Sequence, residues 1–93
     1  MTNSKEYLVK SVMNILKYQD VLDYKKAAEE LIVEISLEQY SLSEIAESTL
    51  EAYYIKKVGC IDSRLKNSYE SFVKSNKKDL MNNIKDLYIT YLA

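Results

Sequence analysis

The chain is predicted to be all-α: one domain over residues 1–93, built as a compact bundle of four to five short, mostly antiparallel helices. Three observations predict it. No proline and a single glycine in 93 residues leave almost none of the punctuation that a sheet with many turns needs. Apolar residues recur at three-to-four spacing along most of the length. A hydrophobic fraction of 47% beside 29% charged residues supports one modest core and argues against disorder.

The elements follow in order. Asn3 and Glu6 have cap-to-N3 spacing, and Leu8, Val12, Ile15 and Leu16, with Met13 beside them, form one apolar stripe of a helix reaching about Tyr18. Asp20 can cap a second helix, with Asp23 in its first turn and Tyr24, Ala27, Ala28, Leu31, Ile32 and Ile35 on the inner face. Its outer carboxylates Glu30, Glu34 and Glu38 are expected to be a solvated or ion-paired face. Ser36 to Tyr40 reads as a connector. Ser41 and Glu44 then have the S-x-x-E spacing of a capping box, and Gly59 follows Val58 as a left-handed C-cap, so a third helix is expected over Leu42 to Val58. Its apolar positions are Leu42, Ile45, Ala46, Leu50, Tyr53 and Tyr54. From Ser63 to Leu92 the pattern is helical, with Leu65, Tyr69, Phe72, Val73, Leu80, Ile84, Leu87 and Tyr91 on one face. The polar run Ser75-Asn76-Lys77-Lys78-Asp79 is expected to divide it, one helix ending near Lys74 and another starting near Lys77 behind a Ser75 or Asn76 cap.

Composition narrows the chemistry. With no histidine and one cysteine, the chain lacks the commonest general base, a Cys–His dyad and a zinc ligand set. One glycine cannot build a phosphate-cradling loop. No enzyme activity, metal or cofactor is therefore expected. Cys60 is expected to be a buried, reduced thiol in an intracellular, cytoplasmic protein. Lys5, Glu6 and Lys10 interrupt the first apolar run, so no signal peptide is expected, and no apolar run reaches membrane-spanning length.

The net charge of −1 conceals segregation. Asp20 to Glu51 carries nine acids against two lysines, and Lys56 to Lys85 eight bases against three acids. Such a molecule can pair its own halves, dimerise, or offer one face to a charged partner. Twelve lysines against one arginine, nine tyrosines, eight isoleucines and six asparagines use AT-rich codons, which fits a low-GC bacterium or archaeon, or one of their viruses or plasmids. A viral origin would place the protein in the host cytoplasm.

Leu42-Ser43-Glu44-Ile45-Ala46-Glu47 resembles the first helix of helix-turn-helix DNA-binding domains, where an Ile-Ala-Glu run opens the motif. The family places a glycine-containing turn next; Ser48-Thr49-Leu50-Glu51 stands there instead. The resemblance implies phosphate contacts from Lys56 and Lys57, with Tyr53 or Tyr54 near bases. A single amphipathic helix accounts for the same residues. Lys74 and Lys78, with Lys85, would extend a basic stripe if the last segment is continuous. The nine tyrosines suit an interface, and one of the neighbours Tyr53 and Tyr54 should be partly exposed.

The leading expectation is thus a small regulator, inhibitor, immunity or adaptor protein. It would bind a partner protein through the acidic, tyrosine-bearing face of Glu44, Glu47, Glu51 and Tyr54. The alternative is a dimeric DNA-binding regulator using Tyr53, Lys56, Lys57, Lys74 and Lys78.

Overall fold

A computed structural model of the protein describes residues 4–18, 23–35, 40–59 and 66–92. They form four helices: α1 (Ser4–Tyr18), α2 (Tyr24–Glu34), α3 (Leu42–Val58) and α4 (Lys66–Leu92). The all-α bundle is as expected, with the lower of the two helix numbers. The expected roles of Asn3, Asp20, Glu38, Cys60 and Leu65 fall outside the described residues.

Helix α3 begins and ends as its sequence dictates. Glu44 N–H donates to Ser41 Oγ at 3.1 Å, and the Glu44 carboxylate accepts from Ser41 N–H at 3.5 Å, closing the capping box. At the other end Gly59 takes φ 90° and donates its N–H to the Ile55 carbonyl at 2.7 Å. Helix α2 starts three residues later than expected. Asp23 is the cap rather than a first-turn residue, its carboxylate accepting from Lys25 N–H at 2.9 Å.

The largest departure is α4, which runs unbroken for 27 residues. At about 1.5 Å per residue it is about 40 Å long, close to the molecule's longest dimension of 44 Å. The polar run expected to break it is instead the set of side chains that ties it to its neighbours. Asn76 Nδ2 donates to the Phe72 carbonyl at 2.8 Å, and its Oδ1 accepts from the Tyr24 hydroxyl at 3.0 Å. Lys77 Nζ donates to Glu47 at 2.6 Å, and Lys25 pairs with Asp79 at 3.0 Å. Beside Asp79, hydrogen bond and charge together hold the Lys25 ammonium above its ordinary range. With these side chains occupied across helices and no glycine or proline present, the run supplies no stop.

Helix α3 is the centre. It packs on α1, α2 and α4, whereas α1 and α4 do not pack on each other among the described residues. Direction follows from the contacts. Lys56, late in α3, donates to the carbonyl of Leu16, late in α1, at 2.8 Å, so α1 and α3 run the same way. Tyr54 meets Tyr69 while the earlier Glu47 meets the later Lys77, so α4 runs opposite to α3. Tyr24 opens α2 beside Tyr53, where α3 is ending.

One core joins all four helices: Leu8, Val12, Ile15 and Leu16 from α1, Ala27, Ala28, Leu31 and Ile32 from α2, Ile45, Ala46, Leu50 and Ala52 from α3, Leu80 and Ile84 from α4. Met13 does not join the stripe it was expected to share; it is 39% exposed. Ser48 and Thr49 are buried on α3 as well. Thr49 Oγ1 donates to the Ile45 carbonyl at 2.7 Å, but the buried Ser48 hydroxyl finds no partner.

Two substitutions should move stability in opposite directions. Ser48→Ala removes a hydroxyl buried without a hydrogen bond and should stabilise by about 1 kcal/mol. Gly59→Ala meets no steric obstacle but forces a Cβ onto positive φ, and should destabilise by about 1 kcal/mol. Urea unfolding followed by circular dichroism checks both signs.

Candidate functional site

Three helices around α3 leave one stripe of it uncovered. At about 100° per residue, the buried positions of α3 sweep roughly 200° of its circumference. Glu44, Glu47, Glu51, Ile55 and Val58, spaced three and four apart, occupy the stripe opposite. The first four are half-buried and Val58 is 43% exposed. This stripe is the floor of a trough. One wall is the flank of α1 carrying Lys5, Glu6, Val9, Lys10 and Met13, which encloses with Glu51 and Ile55 a cleft of about 460 Å³. The other is the flank of α4 carrying Tyr69, Val73 and Lys74, which with Glu47 and Lys5 encloses a second cleft of about 260 Å³. Toward the Gly59 end, Met13, Lys17, Ile55 and Lys56 continue the depression.

The expected acidic face is therefore present, but its three carboxylates differ. Glu44 belongs to the capping box, so reversing its charge would damage the start of α3 as well as any surface. Glu47 is spoken for by Lys77. Glu51 enters no ion pair among the described residues. It is half-buried at the middle of the floor, in a cleft that Lys5 and Lys10 also line. Its nearest chemical effect is on Tyr69. Burial first, then the negative charges of Glu51 and Glu47, push that phenol up to about 12. Tyr69 therefore stays protonated further into the alkaline range than an ordinary tyrosine.

Tyr54 is not a free surface ring. A cluster of five aromatic side chains gathers where α3 ends and α2 and α4 begin, with Phe72 as its hub. Phe72 lies 6.0 Å from Tyr53 in a stacked pair, 6.3 Å from Tyr24 edge-on and 5.5 Å from Tyr54. Tyr24 meets Tyr53 at 5.4 Å and Tyr54 meets Tyr69 at 5.5 Å, both edge-on. Both neighbours of the Tyr53-Tyr54 pair are half-buried, because Phe72 sits between them and each ring takes one side. Removing Tyr54 would cost packing in this cluster, so its weight is structural at least as much as interfacial.

The basic residues expected to touch nucleic acid are dispersed. Lys56 satisfies the end of α1, and Lys57 lies 5.5 Å over the Tyr53 ring. α3 passes through Ser48-Thr49-Leu50-Glu51 without a turn, and the first three of those residues are buried. The chain there does not have the two-helix geometry of a helix-turn-helix. Lys74 and Lys78, with Lys85, are exposed, and because α4 is continuous they fall within about 40° of one another around its axis.

Sequence reasoning missed Ile55 and Val58 as part of the face and missed the walls entirely. The signal for the former was present, since Glu44, Glu47, Glu51, Ile55 and Val58 keep helical spacing. No family model, curated protein or solved structure matches this chain.

Tyr69 gives a solution readout of this geometry. In the fold it should ionise near pH 12, against about 10 in the unfolded chain. The folded state then holds a proton that the unfolded state has lost, so stability should fall as pH rises from about 10 to about 12 and be unaffected by Tyr69 below that window. Ultraviolet titration should show one late tyrosine, absent in Tyr69→Phe and shifted earlier in Glu51→Gln.

Proposed function

We propose that this protein is a small intracellular protein-interaction module, a regulator, inhibitor or adaptor, that grips its partner in the trough over α3. The observation that carries this reading is Glu51, a half-buried carboxylate in no ion pair among the described residues, on the floor of a groove whose walls mix apolar side chains with lysines such as Lys5 and Lys10. A charge held out of bulk water without a partner is costly, and a partner's cation would relieve that cost on binding. The apolar side chains around it, Val9, Met13, Ile55 and Val73, supply the area that a rim of charge alone lacks. No described helix is long and apolar enough to cross a membrane, so a membrane-embedded role has no support in the fold.

A second reading draws on α4. Its exposed lysines Lys74, Lys78 and Lys85 span about 16 Å along one continuous helix face, a spacing that could follow a phosphate backbone. Tyr53 is packed in the aromatic cluster, while Lys56, bonded to the Leu16 carbonyl, and Lys57, over the Tyr53 ring, lie apart from this stripe at the end of α3.

Two variants separate the readings. Glu51→Lys should weaken capture of the partner from the source cell by 30-fold or more, about 2 kcal/mol, with the helical circular dichroism signal unchanged. Partner affinity equal to wild type in this variant would remove the trough from consideration. Replacing Lys74, Lys78 and Lys85 together with glutamine should leave partner capture intact. Should the wild type instead bind duplex DNA with log affinity falling linearly in log salt, and the triple variant lose that slope, the α4 reading takes its place.

A further inference from the structure

We infer that the outer face of α4 is a docking surface for duplex DNA, laid along the major groove without sequence preference, its lysines on the flanking phosphates. This rests on the second reading above, and the trough has no part in it.

The face exists because α4 is continuous. Lys74, Lys78 and Lys85 are exposed, and so are Asn67, Ser71, Ser75 and Asn82. At about 100° per residue these side chains share an arc about 100° wide, extending over about 27 Å of helix. The arc lies opposite Leu80 and Ile84, the fully buried residues that seat α4 on the bundle. No carboxylate falls inside it. Of the acids at its edges, Asp79 is paired with Lys25 at 3.0 Å, and Asp86 is not free either. Glu70 lines the trough cleft, which only Lys74 of this face reaches. Lys25, Lys26 and Lys77 are in ion pairs, whereas the three lysines of the arc enter none among the described residues. The chain's net charge is −1, but the acids of α2 and of the trough floor lie on other faces, so this arc keeps a local excess of positive charge.

The residue types select the ligand. A protein interface is built around an apolar centre. The described apolar side chain on this arc is Ile89, at its far end and 55% exposed. Lysine, serine and asparagine all donate hydrogen bonds, which suits a partner that offers acceptors and negative charge along its length. A phosphate backbone is such a partner, and these three residue types are among those that hold it. The arc has no arginine, the commonest reader of guanine, and no aromatic ring on which an unpaired base could stack. Duplex form and lack of sequence preference follow. Groove shape then separates DNA from RNA. A helix about 10–12 Å across fits the B-form major groove, about 12 Å wide, and not the deep, narrow groove of duplex RNA. Around the axis, Lys74 and Lys85 lie toward one edge of the arc and Ser75 and Asn82 toward the other, so both backbones bordering the groove receive donors.

Fluorescence anisotropy of the full chain, with a short mixed-sequence DNA duplex, its single strand and the matching RNA duplex at several salt concentrations, tests this. The DNA duplex should bind tightest, with log affinity falling against log salt at a slope of about −2 to −3, as three engaged lysines require. Glutamine at Lys74, Lys78 and Lys85 together should weaken binding by about tenfold or more at low salt and flatten the slope. Glutamine at Lys10, Lys26 and Lys57, the same loss of charge on other exposed surfaces, should leave the slope unchanged. Single strand or duplex RNA binding as tightly as duplex DNA overturns the groove inference and leaves the phosphate reading of α4 standing. A strong preference among unrelated DNA duplexes overturns it in the same way. Equal losses in the two triple variants remove α4 as the site, and with it both the inference and the reading beneath it. No binding of any nucleic acid at low salt also ends both, and leaves the protein-interaction reading untouched.

Discussion

Helix α3 has to bury Ile45 and Leu50 together with Ala46, Ser48, Thr49 and Ala52, and these positions sweep far more of its circumference than the stripe that one neighbouring helix covers. The small residues make the solution possible. Alanine, serine and threonine keep the helix narrow, so other backbones can approach it closely on several sides, while Ile45 and Leu50 fill the space between. Three helices around one follow from that requirement, and so does the uncovered stripe, because α1 and α4 are each committed to a different flank of α3. The trough is a consequence of how the core is packed, not an irregularity added to it.

The same requirement explains what could and could not be seen in advance. Ser41, Glu44 and Gly59 are local devices whose action needs only neighbouring residues, and they mark the ends of α3 where the sequence places them. Leu8, Val12, Ile15 and Leu16 form a simple stripe because α1 meets both α2 and α3 through a single face. The central helix has no such clean period: buried residues on several sides and apolar Ile55 and Val58 on the open one blur the pattern that separates inside from outside. The continuity of α4 was illegible for a related reason. Ser75 to Asp79 reads as a break when the residues are considered alone, and as a docking surface once Tyr24, Lys25 and Glu47 are brought opposite. The site was half legible, its carboxylates visible as a charge run and its walls dependent on which helices meet.

The segregation of charge along the chain is partly spent inside the fold. Lys25–Asp79 and Lys77–Glu47 join helices distant in sequence, while Lys26 with Glu29 and Glu30 pairs within α2. Exposed and half-exposed pairs of this kind contribute about 0–1 kcal/mol each, so they set register more than they hold the molecule together. What they leave over matters more for recognition. Lys77 neutralises Glu47, which leaves Glu51 and Glu70 without an ion pair in the trough among the described residues and a separate lysine stripe on the outer face of α4.

The Ser48 hydroxyl and the Glu51 carboxylate both make no hydrogen bond or ion pair among the described residues, and their positions give them different meanings. The Ser48 hydroxyl is fully buried on the flank of α3 that also carries Ala52 and Ile55, where nothing from outside can reach it; its cost is simply borne by the fold. Glu51 lies on the side of α3 opposite the core, half-buried, in a cleft lined by Lys5, Val9, Lys10, Met13 and Ile55 and within electrostatic reach of Tyr69. A mispaired group sealed in the interior can only be tolerated or removed. One at the floor of an accessible groove can be completed from outside, and the free energy recovered on completing it is available to binding.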